Sequence, residues 1–496
     1  MKMRDYLLLY INGNRHLISG GKGFYSLTDY LRDDLGLIGT KVVCAEGDCG
    51  SCTLLIGRVK NSSLYYESVD SCIQYLYQLD CSHVITVEGL KNKIQKLHPV
   101  QKAMIDMFGS QCGYCTPGFV MSLVSMIESE EPFTRKSVQD GLTGNLCRCT
   151  GYEQIIDSAL SLNQKGLTKV SDFYKSEAML LDFEEHISKS VFCEFDENWN
   201  GSTQKFQFYV PTTIYEALKF KQKYSDVTLV AGGTDISVQM NKERLEPNRV
   251  MSLTHLDNLE GFEINNNSFI VGAKLSWSKL AECCKKYFPQ FAEIIEIFAS
   301  RQIKNVATLA GNIANASPIA DSIPFLYVMD AEVELSRYQS ITNQIDSRWV
   351  RLTKFYHGYK TTEMKTDELI TRIRWSMPHD EDILKLYKVS KRKDLDISTF
   401  TAGIWMRLKK GKIEKVRLAL GGVGPIVLRM PETEDYLKGK PMLLKIFQVA
   451  GQIARREINP ISDVRASSEN RLQLAENIMQ KFFYEWLESQ NKKEVA

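Results

Sequence analysis

The chain has 496 residues, of which 44% are hydrophobic and 25% charged, a composition typical of a globular protein of about three or four domains. Its 62 basic and 60 acidic residues leave a net charge of +2. This balance excludes the strongly basic surface that nucleic acid or an anionic membrane requires, so we expect neither as a partner.

The N-terminal sequence shows no targeting signal. MKMRDYLLLYINGNRH (1–16) contains an apolar run that is too short for a signal peptide, and it lacks a small-residue cleavage site. No later segment approaches the about 18 consecutive apolar residues of a membrane span. We therefore expect a cytoplasmic protein, in which clustered cysteines bind metal more often than they form disulfides.

Cysteine position is the strongest signal in the chain, because nine of the twelve cysteines lie in residues 44–149. Four of these nine have the plant-type [2Fe–2S] spacing C-x4-C-x2-C with the last after 19 more residues: Cys44, Cys49, Cys52 and Cys72. Gly47 and Gly50 give this loop the backbone freedom to turn several thiolates towards one cluster. A structural zinc site usually has paired C-x2-C knuckles, so the spacing favours iron–sulfur over zinc.

A second group of four cysteines combines C-x2-C with C-x-C: Cys112, Cys115, Cys147 and Cys149. Between the two pairs, residues 118–132 repeat apolar side chains at helical spacing and end at Pro132, and another helix is predicted at 152–162. Thiols at helix ends can hold a metal between packed helices, but this spacing alone fits zinc and iron–sulfur equally well. Cys81 belongs to neither group and is expected to be a small buried apolar residue.

Three segments, CAEGDCGSC, QCGYCTPGF and GNLCRCTGY, together resemble the iron–sulfur segments of the molybdenum hydroxylases, in particular the xanthine dehydrogenase and aldehyde oxidase family. The resemblance implies a β-grasp ferredoxin domain followed by a four-helix domain, each with one [2Fe–2S] cluster. It assigns the first group of four cysteines to the first cluster and the second group to the second. All eight matching positions are cysteine in this chain.

Beyond the cysteines the chain changes character. Residues 164–205 are polar and charge-mixed without a sustained period, and we interpret them as a linker. From residue 206 onward predicted strands and helices alternate. VAGGTD (230–235) follows an apolar strand, where glycines let backbone amides approach a pyrophosphate, and TLAGNIANASPIAD (308–321) is interpreted as a second loop. Neither has the fingerprint G-x-G-x-x-G, so no Rossmann nucleotide site is predicted.

In the family, an FAD domain follows the two iron–sulfur domains, and these two loops resemble its FAD-binding segments. The resemblance implies the following FAD-contacting residues: Val230, Ala231, Gly232, Gly233, Thr234, Asp235, Phe298, Thr308, Gly311, Asn312, Asp321 and Lys388. Phe298 matches the aromatic residue that packs on the flavin ring, although on its own it would be an ordinary helix core residue. Lys388 matches a basic residue at the flavin, although its segment alone would be a solvated basic stretch.

Two positions depart from the family pattern. Ala310 stands where many relatives have glycine, and Leu395 stands where animal relatives have an acidic residue near the flavin. Because charge near a flavin tunes its potential and its acceptor, the choice between NAD and oxygen stays open. The seven histidines form no HExxH or H-x3-H pair and no G-x-S-x-G motif occurs, so neither a histidine metal site nor a hydrolase is predicted.

The chain is therefore predicted to be an α+β multidomain protein. The expected divisions are a ferredoxin-like [2Fe–2S] domain at 1–86, a helical [2Fe–2S] domain at 87–163, the linker at 164–205, an α+β FAD-binding domain at 206–380 and a C-terminal α+β subdomain at 381–496.

The resemblance implies an electron-transfer subunit of an NAD-dependent xanthine dehydrogenase type of oxidoreductase. No segment after the flavin domain is large enough for the family's molybdenum-cofactor domain, so we expect no catalytic residue for purine hydroxylation on this chain. Xanthine or hypoxanthine would be oxidised on a large partner subunit, in a heterotetramer of two small and two large subunits. Electrons would pass through the helical-domain cluster, the ferredoxin-domain cluster and FAD to NAD. Gln111 and Cys149 are expected beside the partner.

Three alternatives remain open. The chain can be the iron–sulfur flavoprotein subunit of an aldehyde or another N-heterocycle dehydrogenase, or a free-standing iron–sulfur flavin reductase. It can also be a zinc-bearing scaffold without redox activity. A co-purifying large subunit separates the subunit hypotheses from the free-standing reductase, and metal analysis separates the scaffold from the rest.

Overall fold

The computed structural model describes residues 3–91, 97–199 and 202–495. The chain forms two compact units. The first comprises the chain up to Asn258 together with Ser300–Thr308, and the second comprises Leu259–Ala299 and the chain from Leu309 onward. Among the described residues, no helix combines the length and the apolar character that crossing a bilayer requires.

The first unit begins with a five-stranded mixed sheet in the order β2-β1-β5-β3-β4. Its strands are β1 (Leu7–Ile11), β2 (Asn14–Ile18), β3 (Thr53–Lys60), β4 (Ser63–Asp70) and β5 (Ser82–Ile85). The turn between β1 and β2 has positive φ at both Asn12 and Gly13, the geometry that a tight hairpin favours, and β1 pairs in parallel with β5. Helix α1 (Leu27–Asp29) begins after Ser26, whose hydroxyl accepts a hydrogen bond from the Asp29 N–H.

A helical domain follows this sheet. Its described helices are α2 (Pro99–Asp106), α3 (Thr116–Glu128), α4 (Arg135–Gly141) and α5 (Glu153–Leu160). Helix α3 is buried on all sides from Gly118 to Ile127, as expected of a helix at the centre of a domain. The helical spacing at 118–132 and 152–162 therefore predicted α3 and α5 correctly.

Residues 164–205, interpreted from the sequence as a linker, contain regular structure. The elements are α6 (Val170–Phe173), α7 (Glu177–Ile187), β6 (Val191–Trp199) and the start of β7 (Ser202–Val210). Helix α7 buries only Met179, Phe183 and His186 of its eleven residues. Because so few positions face a core, the polar majority hid the helical period in the sequence.

The rest of the first unit is a second sheet with strand order β6-β7-β9-β8. The remaining elements are α8 (Ile214–Lys223), β8 (Thr228–Val230), α9 (Ile236–Asn241), β9 (Arg249–Ser252) and the short helix α12 (Arg301–Lys304). β7 and β8 both run parallel to β9. Thr213 and Glu216 form a capping box that starts α8, within the segment where the sequence predicts a helix.

The second unit contains two main sheets. The first has the order β10-β11-β16-β12-β13 and the second the order β17-β18-β19-β20. The strands are β10 (Phe262–Asn265), β11 (Ser268–Gly272), β12 (Glu332–Gln339), β13 (Gln344–Arg351), β14 (Tyr356–Gly358), β15 (Thr361–Thr362), β16 (Leu369–Ser376), β17 (Asp382–Val389), β18 (Phe400–Lys409), β19 (Lys412–Gly421) and β20 (Leu428–Arg429). The helices are α10 (Trp277–Tyr287), α11 (Pro289–Phe298), α13 (Leu309–Asn315), α14 (Ile323–Val328), α15 (Pro431–Leu437), α16 (Leu444–Arg456) and α17 (Ser468–Val495). Strands β17–β19 and helices α15–α17 share one hydrophobic core.

A buried ion-pair network joins distant segments of the first unit. The Arg4 guanidinium donates to both carboxylate oxygens of Asp80 at 2.9 and 2.5 Å, and His255 Nε2 lies 2.8 Å from the same carboxylate. Arg4 also donates to the carbonyl oxygens of His186 and Lys189 at the end of α7. Although burial opposes ionisation, the hydrogen bonds from His255 and Arg4 hold the pKa of Asp80 below its usual value.

We predict that Asp80→Asn lowers the free energy of unfolding by about 3–5 kcal/mol, because it leaves the buried Arg4 charge uncompensated. Urea unfolding followed by circular dichroism measures the effect. Since the pKa of Asp80 is lower in the folded chain, its contribution is complete above an unfolded pKa of about 3.9 and is lost as the pH falls further.

The matched control is Asp226→Asn, which breaks the exposed ion pair between Asp226 and Arg249. This variant is expected to lose no more than about 1 kcal/mol. Equal losses in the two variants would contradict a structural role for the buried network.

Candidate metal and cofactor sites

The first group of four cysteines converges at one end of the first sheet. The thiol of Cys44 interacts with those of Cys49 and Cys72, and the thiol of Cys52 interacts with that of Cys72. Cys52 and Cys72 are 2% and 3% exposed, whereas Cys44 is half-buried. The four thiols of this group thus lie together.

The loop that brings these thiols together needs glycine at two positions. Gly47 and Gly50 have φ of +70° and +66°, a region that side chains with a Cβ rarely adopt. A Cβ on Gly50 would also lie 2.3 Å from the Gly144 carbonyl oxygen. Gly47 and Gly50 therefore give the loop the backbone conformation that the sequence predicted for them.

The second group of four cysteines lies where the helical domain's loops meet. The sulfurs of Cys112 and Cys149 are 3.6 Å apart, and the thiol of Cys115 interacts with that of Cys147. Cys112 and Cys149 are exposed, whereas Cys147 is buried. Cys81 is 2% exposed, as the sequence predicted for a cysteine outside both groups.

Both groups fit a bound iron–sulfur cluster. Each offers four sulfur donors from residues far apart in sequence, and sulfur donors suit iron–sulfur clusters or zinc. Each set of donors is already gathered by the fold, so a metal would meet a preformed site. The eight cysteines named from the sequence are therefore brought together in the two expected sets of four.

The glycine segment after β8 lies in the first unit. Gln74 Nε2 donates to the Gly232 carbonyl oxygen at 3.1 Å, and Gln78 Nε2 donates to the Ala231 carbonyl oxygen at 3.3 Å. A Cβ on Gly232 would lie 2.1 Å from the Val306 carbonyl oxygen. This close backbone packing requires glycine at position 232 whether or not a phosphate binds. The neighbouring predicted residues are Val230, Gly233, Thr234 and Asp235, of which Val230 is 1% exposed.

A cavity of about 250 Å³ lies in the second unit. Phe298 lines it at the end of α11, and its ring packs edge-on against that of Trp277 at 4.9 Å. Leu395 also lines it, held at φ +61° by a hydrogen bond from its N–H to the Ile297 carbonyl oxygen. Whole small-molecule sites usually measure about 300–1,000 Å³, so this cavity suits one part of a larger cofactor, such as the flavin ring of FAD.

A buried lysine supports one wall of this cavity. The Lys388 side chain is 1% exposed, and its ammonium donates to Asp321 Oδ2 at 2.8 Å, the Asp396 carbonyl oxygen at 2.8 Å and Ser398 Oγ at 2.7 Å. Asp321 and Ser398 line the cavity. The structure therefore brings Phe298, Asp321 and Lys388 to one place, as the resemblance implied. Trp277 was missed because an aromatic residue in an amphipathic helix carries no local sign of a cofactor.

The segment 308–321 was interpreted as a loop, and this is wrong for its first half. Residues Leu309–Asn315 form α13, in which Leu309 and Ile313 are buried one turn apart. Gly311 and Asn312 lie on this helix, and Asn312 accepts a hydrogen bond from Ser322 at 2.6 Å and lines the cavity. Thr308, immediately before the helix, is 5% exposed and belongs to the first unit.

Models of four protein families match consecutive parts of the chain. A 2Fe-2S iron–sulfur cluster binding domain matches residues 9–83, and a [2Fe-2S] binding domain matches 86–160. An FAD binding domain in molybdopterin dehydrogenase matches 204–378, and a CO dehydrogenase flavoprotein C-terminal domain matches 385–486. The predicted multidomain α+β architecture, with two [2Fe–2S]-binding domains and an FAD-binding domain, is confirmed.

The chain is similar to the N-terminal part of curated xanthine dehydrogenases. Xanthine dehydrogenase 1 of Arabidopsis thaliana is 30% identical over 517 residues, which cover 91% of this chain and 37% of that protein. Xanthine dehydrogenase of Emericella nidulans is 30% identical over 486 residues, covering 88% of this chain and 35% of that protein. The chain thus spans little more than a third of the length of these relatives.

Two solved structures share the fold over part of the chain. Carbon monoxide dehydrogenase from Hydrogenophaga pseudoflava has a TM-score of 0.52 at 22% identity and covers 56% of this chain and 95% of its own. Quinoline 2-oxidoreductase from Pseudomonas putida 86 has a TM-score of 0.52 at 21% identity and covers 56% of this chain and 96% of its own.

We predict that the purified chain contains about four iron atoms and as many acid-labile sulfides, as two [2Fe–2S] clusters require. Cys49→Ser should remove one of two cluster signals in electron paramagnetic resonance, because a hydroxyl is a poor substitute for a thiolate ligand. Cys283→Ser, in α10 of the second unit, is the control and should keep both signals. Zinc in place of iron would contradict the assignment.

We also predict that Phe298→Ala weakens FAD binding or shifts the flavin absorption band, because it removes the ring that lines the cavity. Iron content should stay unchanged. Phe262→Ala, which truncates a 45% exposed ring on β10, is the matched control. Normal flavin content and an unshifted spectrum in Phe298→Ala would return Phe298 to the role of a packing residue.

Proposed function

We propose that the chain belongs to the molybdenum hydroxylase family, as a homologue of the N-terminal part of the xanthine dehydrogenases, and that it carries electrons from a molybdenum site on a partner polypeptide to FAD. When bound, the two clusters supply one-electron carriers and FAD supplies a two-electron acceptor. The observation that carries this proposal is the convergence of all eight cysteines into two sets of four within one compact unit.

The residues of this chain hold these carriers in different surroundings. Cys52 and Cys72 lie in an apolar cluster with Ile73, where the fold excludes water. Cys112 and Cys149, in contrast, face the surface. The exposed set is the one that an external electron donor can reach, so we assign the entry of electrons to the helical domain.

Four exposed apolar side chains lie near the cysteines of the second group in the sequence. Phe108 is 80% exposed, Ile105 61%, Tyr114 47% and Leu146 43%. Apolar side chains concentrated around one position mark a protein interface more often than a free surface. We assign this surface to the molybdenum-bearing polypeptide, because an electron donor has to cover the exposed cysteines closely. Gln111 lies next to Cys112 in the sequence and is exposed, as its expected position beside the partner requires.

The substrate of the partner and the final electron acceptor are inferred from the relatives. We propose xanthine or hypoxanthine as the substrate of the partner and NAD as the final acceptor, supported by similarity to proteins named xanthine dehydrogenase. A heterotetramer of two small and two large subunits and a cytoplasmic location belong to the same proposal. The shared fold with quinoline 2-oxidoreductase favours another N-heterocycle as the second candidate substrate.

In the flavin domain, this chain's residues would orient the ring and control the charge beside it. Phe298 offers an apolar face, and Lys388 holds the Asp321 carboxylate in a fixed, neutralised pair at the cavity wall. Leu395 adds an uncharged side chain to the same cavity. The charged side chains that line the cavity are therefore Asp321, in its pair with Lys388, and Asp396, and these would act on the potential of a bound flavin ring.

We predict that NADH bleaches the flavin and cluster absorbance of the isolated, flavinated chain under anaerobic conditions, because the acceptor end of the path is complete. Xanthine should not bleach it, because the group that attacks the purine is held elsewhere. Anaerobic titration in a spectrophotometer measures both. Bleaching by xanthine without a partner would overturn this division of labour, and failure of NADH would overturn NAD as the acceptor.

A second prediction concerns the partner. Phe108→Asp should weaken binding of the molybdenum-bearing polypeptide by at least about tenfold, because it places a charge in the apolar surface around the exposed cysteines. Ile341→Asp, at a 96% exposed position of the second unit, is the control. Binding is measured by surface plasmon resonance, with iron content checked in each variant. Unchanged affinity in Phe108→Asp would place the interface elsewhere.

A further inference from the structure

One buried amide contacts both cysteine-bearing domains. Gln302 lies on α12 and is 1% exposed. Its Nε2 donates to Thr53 Oγ1 at 3.1 Å and to Asn145 Oδ1 at 3.1 Å. Thr53 follows Cys52 directly, and Asn145 precedes Cys147 by two positions. The amide of Gln302 thus lies between the loop of one cysteine group and the loop of the other.

The two loops also contact each other directly. The Leu146 N–H donates to the Cys49 carbonyl oxygen at 3.0 Å, and Asn145 Nδ2 donates to the Gly50 carbonyl oxygen at 2.9 Å. Gln302, Asn145 and the loop of the first cysteine group therefore contact one another. Gln302 hydrogen-bonds to Asn145 and to Thr53, and Asn145 hydrogen-bonds to Gly50. Ser122 on α3 completes the set by donating to Asn145 Oδ1 at 2.7 Å.

The segment that carries Gln302 is fixed on both sides of it. Arg301 forms a two-pronged ion pair with Glu131, which follows α3, at 2.6 and 2.9 Å. Ile303 packs on the apolar cluster of Cys52, Cys72 and Ile73. Asn305 Nδ2 donates to the Ser68 carbonyl oxygen on β4 at 2.8 Å. Residues on both sides of Gln302 thus contact both domains, and these contacts fix the backbone that carries Gln302.

Gln302 is also costly to the fold. Its Oε1 is buried and finds no hydrogen-bond partner in the part of the chain that the structure describes. An unsatisfied buried acceptor costs roughly 1–3 kcal/mol, and an apolar side chain of the same length would avoid this cost. Packing alone does not account for an amide here, whereas a requirement to fix Asn145 and Thr53 at the same time does.

We propose that Gln302 is a positioning residue that sets the separation and relative orientation of the two clusters, and so the rate of electron exchange between them. This inference rests on the proposed function, since it requires both clusters to be present. In each exchange one electron leaves the reduced cluster and enters the oxidised one, with no bond made or broken. Because such a step depends steeply on distance and orientation, an amide that pins both loops acts on the rate without touching a redox centre.

The test replaces Gln302 by methionine, which keeps the length of the side chain and removes its donor. In the fully reduced protein the two paramagnetic clusters interact magnetically, and the splitting of their low-temperature paramagnetic resonance lines reports their separation. Gln302→Met should alter this splitting and slow the exchange between clusters after flash reduction by about tenfold. Iron content and the line positions of each separate cluster should stay as in the unchanged protein.

Gln139→Met is the matched control, because Gln139 is exposed on α4 and the same chemical change there should leave the splitting intact. Thr53→Val is the second variant, since it removes one acceptor of Gln302 with little change of shape. If Gln302→Met fails to assemble, Thr53→Val alone tests the proposal. A change in the splitting and in the exchange rate that is smaller than expected for Gln302→Met but in the same direction supports it.

The outcomes separate this inference from the function on which it rests. Two clusters in the unchanged protein together with the same splitting and exchange rate in Gln302→Met and Thr53→Val would overturn the inference alone. Absence of two clusters from the unchanged protein would overturn the proposed function as well.

Discussion

The contact between the two cysteine loops is the constraint on which the first unit depends. The Gly50 carbonyl oxygen accepts from Asn145 and also lies where a Cβ on Gly118 would fall, at 2.1 Å. The loop that carries Cys49 therefore packs directly against helix α3 and against the loop that carries Cys147 in the neighbouring domain. No side chain larger than hydrogen fits at Gly118 without displacing this backbone. The two domains thus contact each other at the point where their cysteines lie.

The surrounding cores explain why this junction can be rigid. Helix α3 is buried along its length and packs with strands of the first sheet through Leu55 and Tyr66 in one apolar cluster. On the other face of the sheet, a second cluster joins Leu7, Leu9 and Ile11 to Phe208 of β7. The buried pair of Arg4 and Asp80 then ties the chain's beginning to the end of α7. Burial of apolar side chains stabilises this unit, and the buried Arg4–Asp80 pair determines which segments contact each other.

The local parts of this architecture could be predicted from the sequence. The spacing of the eight cysteines and the helical period of α3 and α5 are properties of short stretches of sequence. The structure contains both helices and brings the cysteines together in the two expected groups. The residues expected to contact FAD came from the resemblance, and of these Phe298, Asp321 and Lys388 lie together at one cavity.

The non-local parts could not be predicted. Gln302 contacts Thr53 from 249 positions away, and Asp80 contacts His255 from 175 positions away, so no local pattern marks either pair. The small and hydroxyl residues at 308–321 suggested a loop, yet the burial of Leu309 and Ile313 one turn apart favours a helix. Tertiary packing outweighed the local preference there.

The order in which the clusters and the flavin are reduced shows where electrons enter the chain. The molybdenum-bearing partner would be reduced with dithionite, freed of excess reductant, and mixed anaerobically with the oxidised, flavinated chain in a stopped-flow spectrophotometer. We predict that cluster absorbance bleaches first and that flavin reduction follows with a lag, because electrons enter at the exposed cysteine group. Flavin reduction without a preceding cluster phase would contradict it.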